Sequence, residues 1–450
     1  MPAPAETAFA WHGRPGAIER LTPPWERIEV IEPGAGLADG SRMVLRVRSG
    51  PVPLRWVARH RDVIAGRQFV DVQEEGPFSR YTHLHRFDND DAGGATMTDR
   101  IEYLPPLGAA GAATSPLITR RLERLLSYRH ELLRADLEAQ ARFAGQPPMR
   151  LAITGGTGMV GSALIPFLQT GGHEARRMTR SPHRPGDVEW NYQAGHIEAV
   201  KLDGLDGVVH LAGENIGARW TATRKKAIWE SRAIGTRFLC ETLARLHRPP
   251  RVLICASAIG IYGNRGDEVL TEESRLPARP ADFLAEVCRE WESATAPARE
   301  AGIRVVNLRF GIILTPAGGA LARLLLPFRL GLGGPIGDGR QWMSWIGIDD
   351  VAGVIHHALL TEDLSGPVNA TSPHPRTNRE FVVALGRALH RPAKLPLPAR
   401  ATRLAFGEMG DSALLSSARV LPTRLLESGY DFRHPHLPGA LRFLLGRATG

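Results

Sequence analysis

Seven consecutive residues, Gly155-Gly156-Thr157-Gly158-Met159-Val160-Gly161, space three glycines as G-x-x-G-x-x-G directly after the apolar run Arg150 to Thr154. A glycine turn between a strand and a helix lets the main chain approach a pyrophosphate, and the first N–H groups and dipole of the helix favour its charge. Gly155, Thr157, Gly158, Met159, Val160 and Gly161 are therefore the candidate phosphate cradle. The next apolar segment ends in Met178-Thr179-Arg180-Ser181. An enzyme that selects NAD(H) places a carboxylate at such a strand end to hold the ribose hydroxyls; Arg180 suits a 2′-phosphate and puts NADP(H) ahead of NAD(H). A third segment, His210-Leu211-Ala212-Gly213, closes the strand that begins after Asp206, and small residues there admit the cofactor backbone against the sheet edge.

These turns need strands behind them. Arg150 to Thr154, His173 to Thr179, Gly207 to Leu211, Arg251 to Ala256 and Arg304 to Arg309 read as strands alternating with helical stretches, the first of which is Met159 to Gln169. Strand–helix alternation of this kind marks a Rossmann-like, doubly wound parallel α/β sheet. Upstream the pattern differs. Short extended segments at Arg42 to Arg48, Leu54 to Val63, Gln68 to Glu74, Tyr81 to Phe87 and Ala95 to Tyr103 are separated by turn residues, as in an antiparallel meander. Then Ile118, Leu122, Leu125, Leu126, Leu133 and Leu137 recur at helical spacing between Thr114 and Phe143, giving one apolar face to lay across that sheet. Ala144 to Pro148 reads as a linker. Three domains are expected: 1–146, 147–396 and a small C-terminal module, 397–450.

A chain of 450 residues exceeds one hydrophobic core. Its formal charge of +9 raises the question of polyanions, but the positive charge is almost all arginine spread through every segment. That distribution reads as codon bias rather than a nucleic-acid surface. The run Arg224-Lys225-Lys226 reads as a solvated helix face. Cys240, Cys255 and Cys288 lack disulfide-framework or zinc-ligand spacing, so no metal site is expected from them. No apolar stretch is long enough to span a bilayer, and Met1 to Trp11 has neither region of a signal peptide, so a cytoplasmic protein is expected.

From Met149 onward the chain resembles an atypical extended short-chain dehydrogenase/reductase of the NAD-dependent epimerase/dehydratase family, in its "epimerase family protein" branch. The resemblance covers about two thirds of the chain. It is carried by Ile153 to Gly158, Leu211-Ala212-Gly213-Glu214-Asn215-Ile216, Ser257-Ala258-Ile259-Gly260-Ile261-Tyr262-Gly263, Leu308-Arg309-Phe310-Gly311, Pro327 to Gly337 and Trp345 to Asp350. Leu421 to Leu425 and Gly429 to Phe432 are similar to the terminal module of that branch. The upstream meander with its long helix, opened by Phe9 to Ala17 and Arg20 to Trp25, resembles the START-like (SRPBCC, polyketide-cyclase-like) superfamily, an α+β helix-grip fold. That resemblance implies a cavity for a hydrophobic ligand. It also implies a strand before this point, where only Met1 to Glu6 stand, so the start of the protein is expected upstream.

The wider family uses a Tyr-x-x-x-Lys pair, in which the tyrosine exchanges a proton with substrate and the lysine lowers its pKa, assisted by a Ser or Thr. Here no lysine lies between Lys226 and Lys394 and no tyrosine between Tyr262 and Tyr430. The segment where the pair belongs, Asp282 to Glu292, carries apolar residues and Cys288 instead. The candidates for a rebuilt set are Tyr262 as proton donor, Ser257 as its hydrogen-bond partner, Glu214 beside the Gly213 turn, and Cys288; the plain alternatives are packing for Tyr262 and Cys288, a turn cap for Ser257 and a solvated position for Glu214. Trp342 and Trp345 are candidates for a pocket wall or for core, and Asp349 is expected to cap the following helix. The reading is an NADP(H)-dependent oxidoreductase or epimerase-like enzyme acting on a small molecule, with a fused module for a hydrophobic ligand. Its rival is a non-catalytic NADPH-responsive binding protein; a third reading makes the N-terminal cavity the functional site. Related enzymes are often dimers, which leaves a homo-oligomer open.

Overall fold

The computed structural model describes residues 1–49, 52–106 and 111–447, and these form two compact units. The first comprises Met1–Pro147 together with Pro166–Gly172 and the chain from Leu445 onward; the second comprises Pro148–Ile165 and His173–Leu444.

In the first unit, two helices, α1 (Ala5–Gly13) and α2 (Ala17–Leu21), precede six strands: β1 (Ile28–Glu32), β2 (Arg42–Ser49), β3 (Val52–Ile64), β4 (Gln68–Glu75), β5 (Arg80–Asn89) and β6 (Ala95–Leu104). Each strand pairs antiparallel with the one before it, and helix α3 (Ser115–Ala141) follows. This is the helix-grip order. β1 went unread in the sequence, although Ile28 and Val30 alternate with Glu29. Strand β5 presents Tyr81, His83, His85 and Phe87 to the interior at every second position, so two of four inward sites carry imidazole. Trp11, Phe69, Phe87, Leu133 and Leu137 pack beside them. On α3 the buried positions are Tyr128, Leu132, Leu133, Asp136 and Leu137, one stripe at helical spacing. Asp136 is tolerated in that stripe because Arg20 of α2 meets it with two parallel hydrogen bonds, 2.7 and 2.8 Å.

The second unit is built on an eight-stranded sheet. In chain order its main elements are β7 (Arg150–Thr154), α4 (Met159–Thr170), β8 (Glu174–Thr179), β9 (Val188–Asn191), β10 (His196–Ile197), β11 (Gly207–His210), α5 (Ala222–Ala244), β12 (Val252–Ala258), α6 (Phe283–Ser293), β13 (Arg304–Phe310) and β14 (Gly366–Ala370). The spatial order is β10-β9-β8-β7-β11-β12-β13-β14, parallel throughout except for β10. Residues 151–154 and all of β11 are buried, as expected where helices cover both faces. The chain winds outward from β7 through β9 and then returns to start again at β11. That reversal leaves a crevice beyond the carboxyl ends of β7 and β11, the topological switch point where ligands of such sheets bind. β9, β10 and β14 were absent from the sequence reading. Residues 397–444 belong to this same unit. No described helix is long and apolar enough to cross a membrane.

Candidate functional site

At the switch point the glycine turn is shaped by backbone contacts rather than by side chains. Gly155 has φ +67°, a region where L side chains are strained. A Cβ on it would stand 3.0 Å from the carbonyl carbon and oxygen of Leu211, so the turn after β7 presses against the end of β11. Gly161 is more constrained still: a Cβ would fall 2.4 Å from the Gly155 carbonyl oxygen and 2.6 Å from the Gly156 Cα. The first turn of α4 can thus sit on the loop only if residue 161 has no side chain. Gly158 donates its N–H to the Gly155 carbonyl at 2.9 Å, closing the turn. Thr157 and Gly158 are exposed at its tip, while Met159 and Val160 are half-buried at the helix start.

Beneath the turn lies a polar relay that the sequence reading missed. The Thr154 hydroxyl accepts the N–H groups of Leu211 and Ala212, at 3.0 and 3.1 Å, and lies 2.8 Å from His210 Nδ1. With both lone pairs engaged, that hydroxyl donates to Nδ1. His210 therefore carries its proton on Nε2, which reaches Thr236 Oγ1 of α5 at 2.9 Å. Burial lowers the His210 pKa to about 3, with Arg232 adding to the effect, so the ring is neutral. The relay ties β7, β11 and α5 together under the crevice. Its one visible signal was a histidine in an apolar strand.

Arg180 emerges exposed just past β8. Two arginines on that strand are already engaged: Arg176 pairs with Glu174 at 2.6 Å and Arg177 grips Asp187 at 2.7 Å. Arg180 faces no such carboxylate among the described residues, leaving a positive charge at the strand end that would meet an adenosine ribose. Gly213 is exposed, and the space a Cβ there would take borders the Arg232 guanidinium, 3.0 Å away. Arg232 in turn donates to the Glu214 carbonyl at 3.0 Å and stacks on Trp291, 4.7 Å from its ring centre.

One strand over, the proposed catalytic residues meet in a closed network. Ser257 at the end of β12 donates to Glu292 of α6 at 2.7 Å. Arg309 of β13 grips the same carboxylate through two bonds of 2.8 Å and donates to the Tyr262 hydroxyl at 3.0 Å. That hydroxyl donates to Asn369 Oδ1 of β14 at 2.8 Å, with the Thr271 carbonyl at 3.1 Å. Tyr262 is wholly buried, and burial raises its pKa against the pull of Arg309. Burial also works against the Arg309 charge, but Glu292 and Tyr262 more than offset it and raise its pKa. Glu292, Arg309 and Asn369 were not singled out from the sequence; the signal available was one arginine inside an apolar strand. The other candidates lie outside this hydrogen-bond network. Cys288 sits in the core with Ile261 and Tyr262, its thiol pushed up to about 12 by burial, and Glu214 is half-exposed, 3.9 Å from Arg224.

One expectation is corrected and one alternative is decided. Asp349 does not cap the helix Ile348–Leu360: Gly347 takes the cap position, and Asp349 lies inside the first turn, buried. Trp345 is core, fully buried with its indole N–H on the His374 carbonyl, whereas half-buried Trp342 bonds Asp267 at 2.7 Å and lies under Arg419.

Residues 151–370 match the family described as NAD dependent epimerase/dehydratase, residues 1–127 match polyketide cyclase / dehydrase and lipid transport, and residues 397–444 match a domain of unknown function. An epimerase family protein of Mycobacterium tuberculosis is 40% identical over 299 residues, 66% of this chain and 98% of the relative. Among solved structures, the nucleoside-diphosphate sugar epimerase from Corynebacterium glutamicum superposes with a TM-score of 0.81 at 36% identity, covering 99% of this chain and 89% of that one. Human epimerase family protein SDR39U1 (isoform 2), solved with NADPH, gives a TM-score of 0.61 at 35% identity over 66% of this chain and 99% of its own.

Proposed function

The chain belongs to the NAD dependent epimerase/dehydratase family, and on that premise we propose that it binds NADP(H) at the switch point of its parallel sheet and serves a redox or epimerase-like reaction on a small molecule. The observation that carries this reading is the pairing of the glycine turn with Arg180. Gly155, Gly158 and Gly161 leave room for a pyrophosphate where a Cβ would strike backbone, and exposed Arg180 meets no carboxylate among the described residues. The human relative, 35% identical, was solved with NADPH. Thr157 to Val160 would hold the diphosphate from the helix start, Arg180 the 2′-phosphate, and Leu211, Ala212 and Gly213 would flank the cofactor along the end of β11. When bound, the nicotinamide supplies hydride transfer.

Ser257, Glu292, Arg309, Tyr262 and Asn369 take a positioning role in this reading. They lock the ends of β12, β13 and β14 beside the crevice, and the Tyr262 hydroxyl is spent on Arg309 and Asn369. A second reading, the NADPH-responsive binding protein, is favoured by the same fact: with Tyr262 sealed and no Tyr-x-x-x-Lys in the chain, no side chain of the family's usual type is offered to a substrate proton. Calorimetric titration of the full chain with NADPH and NADH tests the binding, with tighter NADPH expected and no heat from either cofactor refuting it. NADPH consumption with a panel of small carbonyl compounds then separates enzyme from binding protein.

A further inference from the structure

The first unit carries a second constellation, in no way needed by the dinucleotide site. The strand register sets His60 of β3 opposite Asp71 of β4, Asp71 opposite His83 of β5, and His85 of β5 opposite Asp99 of β6. Residues directly opposite in an antiparallel sheet share a face, so all five side chains converge on one interior wall. One ligand atom each from Asp71, His83 and His85 lies within 4.8 Å of the other two. We propose that these three residues bind a divalent first-row transition-metal ion of the zinc or ferrous-iron class.

The geometry carries the assignment in three ways. His85 Nε2 and Asp71 Oδ2 stand 3.3 Å apart, about the edge of a tetrahedron whose metal bonds are ~2.0–2.1 Å. Two imidazoles with one carboxylate form a donor set that suits such ions and leaves open positions. The surrounding groups are those that orient metal ligands. The second oxygen of Asp71 is held by His60 Nδ1 at 2.6 Å, and Asp99 bonds His83 Nε2 at 2.9 Å and His130 of α3. His85 Nδ1 lies 2.7 Å from Asp99 Oδ1 but off the line of a hydrogen bond, leaving a buried ring nitrogen poorly satisfied. His12 of α1, whose ring centre is 6.0 Å from that of His85, spends Nδ1 on the Ala8 carbonyl and keeps a buried Nε2 with no partner.

Charge and access agree with a metal. Asp71 and Asp99 are paired with histidines, which carry charge only when protonated, whereas a bound divalent ion would supply two positive charges to the same wall directly. The Asp71 side chain is 25% exposed, so the wall opens to solvent beside the ligands. Cysteine spacing could not have revealed this site, because its ligands come from two strands and meet only through register.

The test uses the full chain. Protein as purified is assayed for iron and zinc by mass spectrometry, then stripped with a chelator and titrated with Co²⁺, reading its visible ligand-field absorption. One Co²⁺ per chain is expected, with affinity at least about a hundredfold lower in His85→Ala and Asp71→Asn and unchanged in His196→Ala, an exposed control in the other unit. Far-UV circular dichroism and thermal denaturation of the same samples report whether each variant has folded, because NADPH binding reads only the other unit, and a failure of NADPH to bind the wild-type chain bears on the dinucleotide reading alone. Wild-type protein that neither contains a first-row metal nor takes up Co²⁺ overturns the assignment, as does uptake that both ligand variants retain. Should one variant fail to fold, the other and the wild-type titration decide.

Discussion

Replacing Arg180 with alanine separates phosphate recognition from every other contribution to cofactor binding. A hydrogen bond to a charged group contributes about 1.5–3 kcal/mol. Arg180 is exposed, so water and salt screen it and the lower end applies, about 1.5–2 kcal/mol. That corresponds to an NADPH affinity roughly ten- to thirtyfold weaker. NADH, lacking the 2′-phosphate, should bind the variant as it binds the wild type. Arg176 and Arg177 cannot substitute, because Glu174 and Asp187 already hold them. Arg176→Ala is therefore the control, expected to leave both affinities unchanged. Isothermal titration with each cofactor, at low and at physiological salt, provides the measurement, and the NADPH deficit should narrow as salt rises. Equal loss of NADPH and NADH binding, or no loss of either, would refute the assignment of Arg180 to the phosphate.

Gly161→Ala should abolish measurable NADPH binding and lower the melting temperature, since its Cβ would lie 2.4 Å from a carbonyl oxygen that can move only with the turn; calorimetry and thermal denaturation read both. Tyr262→Phe leaves Arg309 and Asn369 each short of a buried partner and should destabilise the fold by about 1–3 kcal/mol in urea unfolding. Its NADPH affinity should stay within about twofold, and a selective loss of turnover at unchanged stability would instead make Tyr262 a catalytic residue. Removing the Arg309 charge with Arg309→Met should cost more, about 3–5 kcal/mol, because Glu292 is then buried without its ion pair. For pH, His210 has its folded pKa depressed from 6.5 to about 3, so its contribution is fully present above pH 6.5 and is lost as pH falls towards 3. Urea unfolding should show that acid sensitivity, at roughly 1 kcal/mol per unit, reduced in His210→Asn.

The parallel sheet was readable because its strands are covered on both faces: Leu151 to Ile153 is an apolar run within Arg150 to Thr154, and the observed strand has those same ends. Short pairings such as Val188–Asn191 and His196–Ile197 lack that run and passed unnoticed. The glycine turn was legible because its steric demand acts between residues six apart in sequence. By contrast Ser257, Glu292, Arg309 and Asn369 meet only after β12, α6, β13 and β14 have been placed, so no local spacing records their network. Asp349 misled for a related reason: an acidic residue suits a cap and the first helical turn alike, and which one it occupies depends on where Gly347 ends the preceding strand. The histidines of the first unit show no ligand spacing in the sequence, and only strand register puts them on one wall.

The Thr154–His210–Thr236 relay has a consequence for how this protein can be watched. A proton fixed on the Nε2 of a fully buried imidazole exchanges with solvent only when the sheet itself opens. It is therefore a native spectroscopic label, a single ring N–H held 2.9 Å from a helix hydroxyl and one residue from the main chain that presses on Gly155. Nitrogen-15 resonances of His210 should shift when a nucleotide seats on the turn and keep their tautomer signature across the neutral range, reporting occupancy of the crevice from beneath its floor without any added dye.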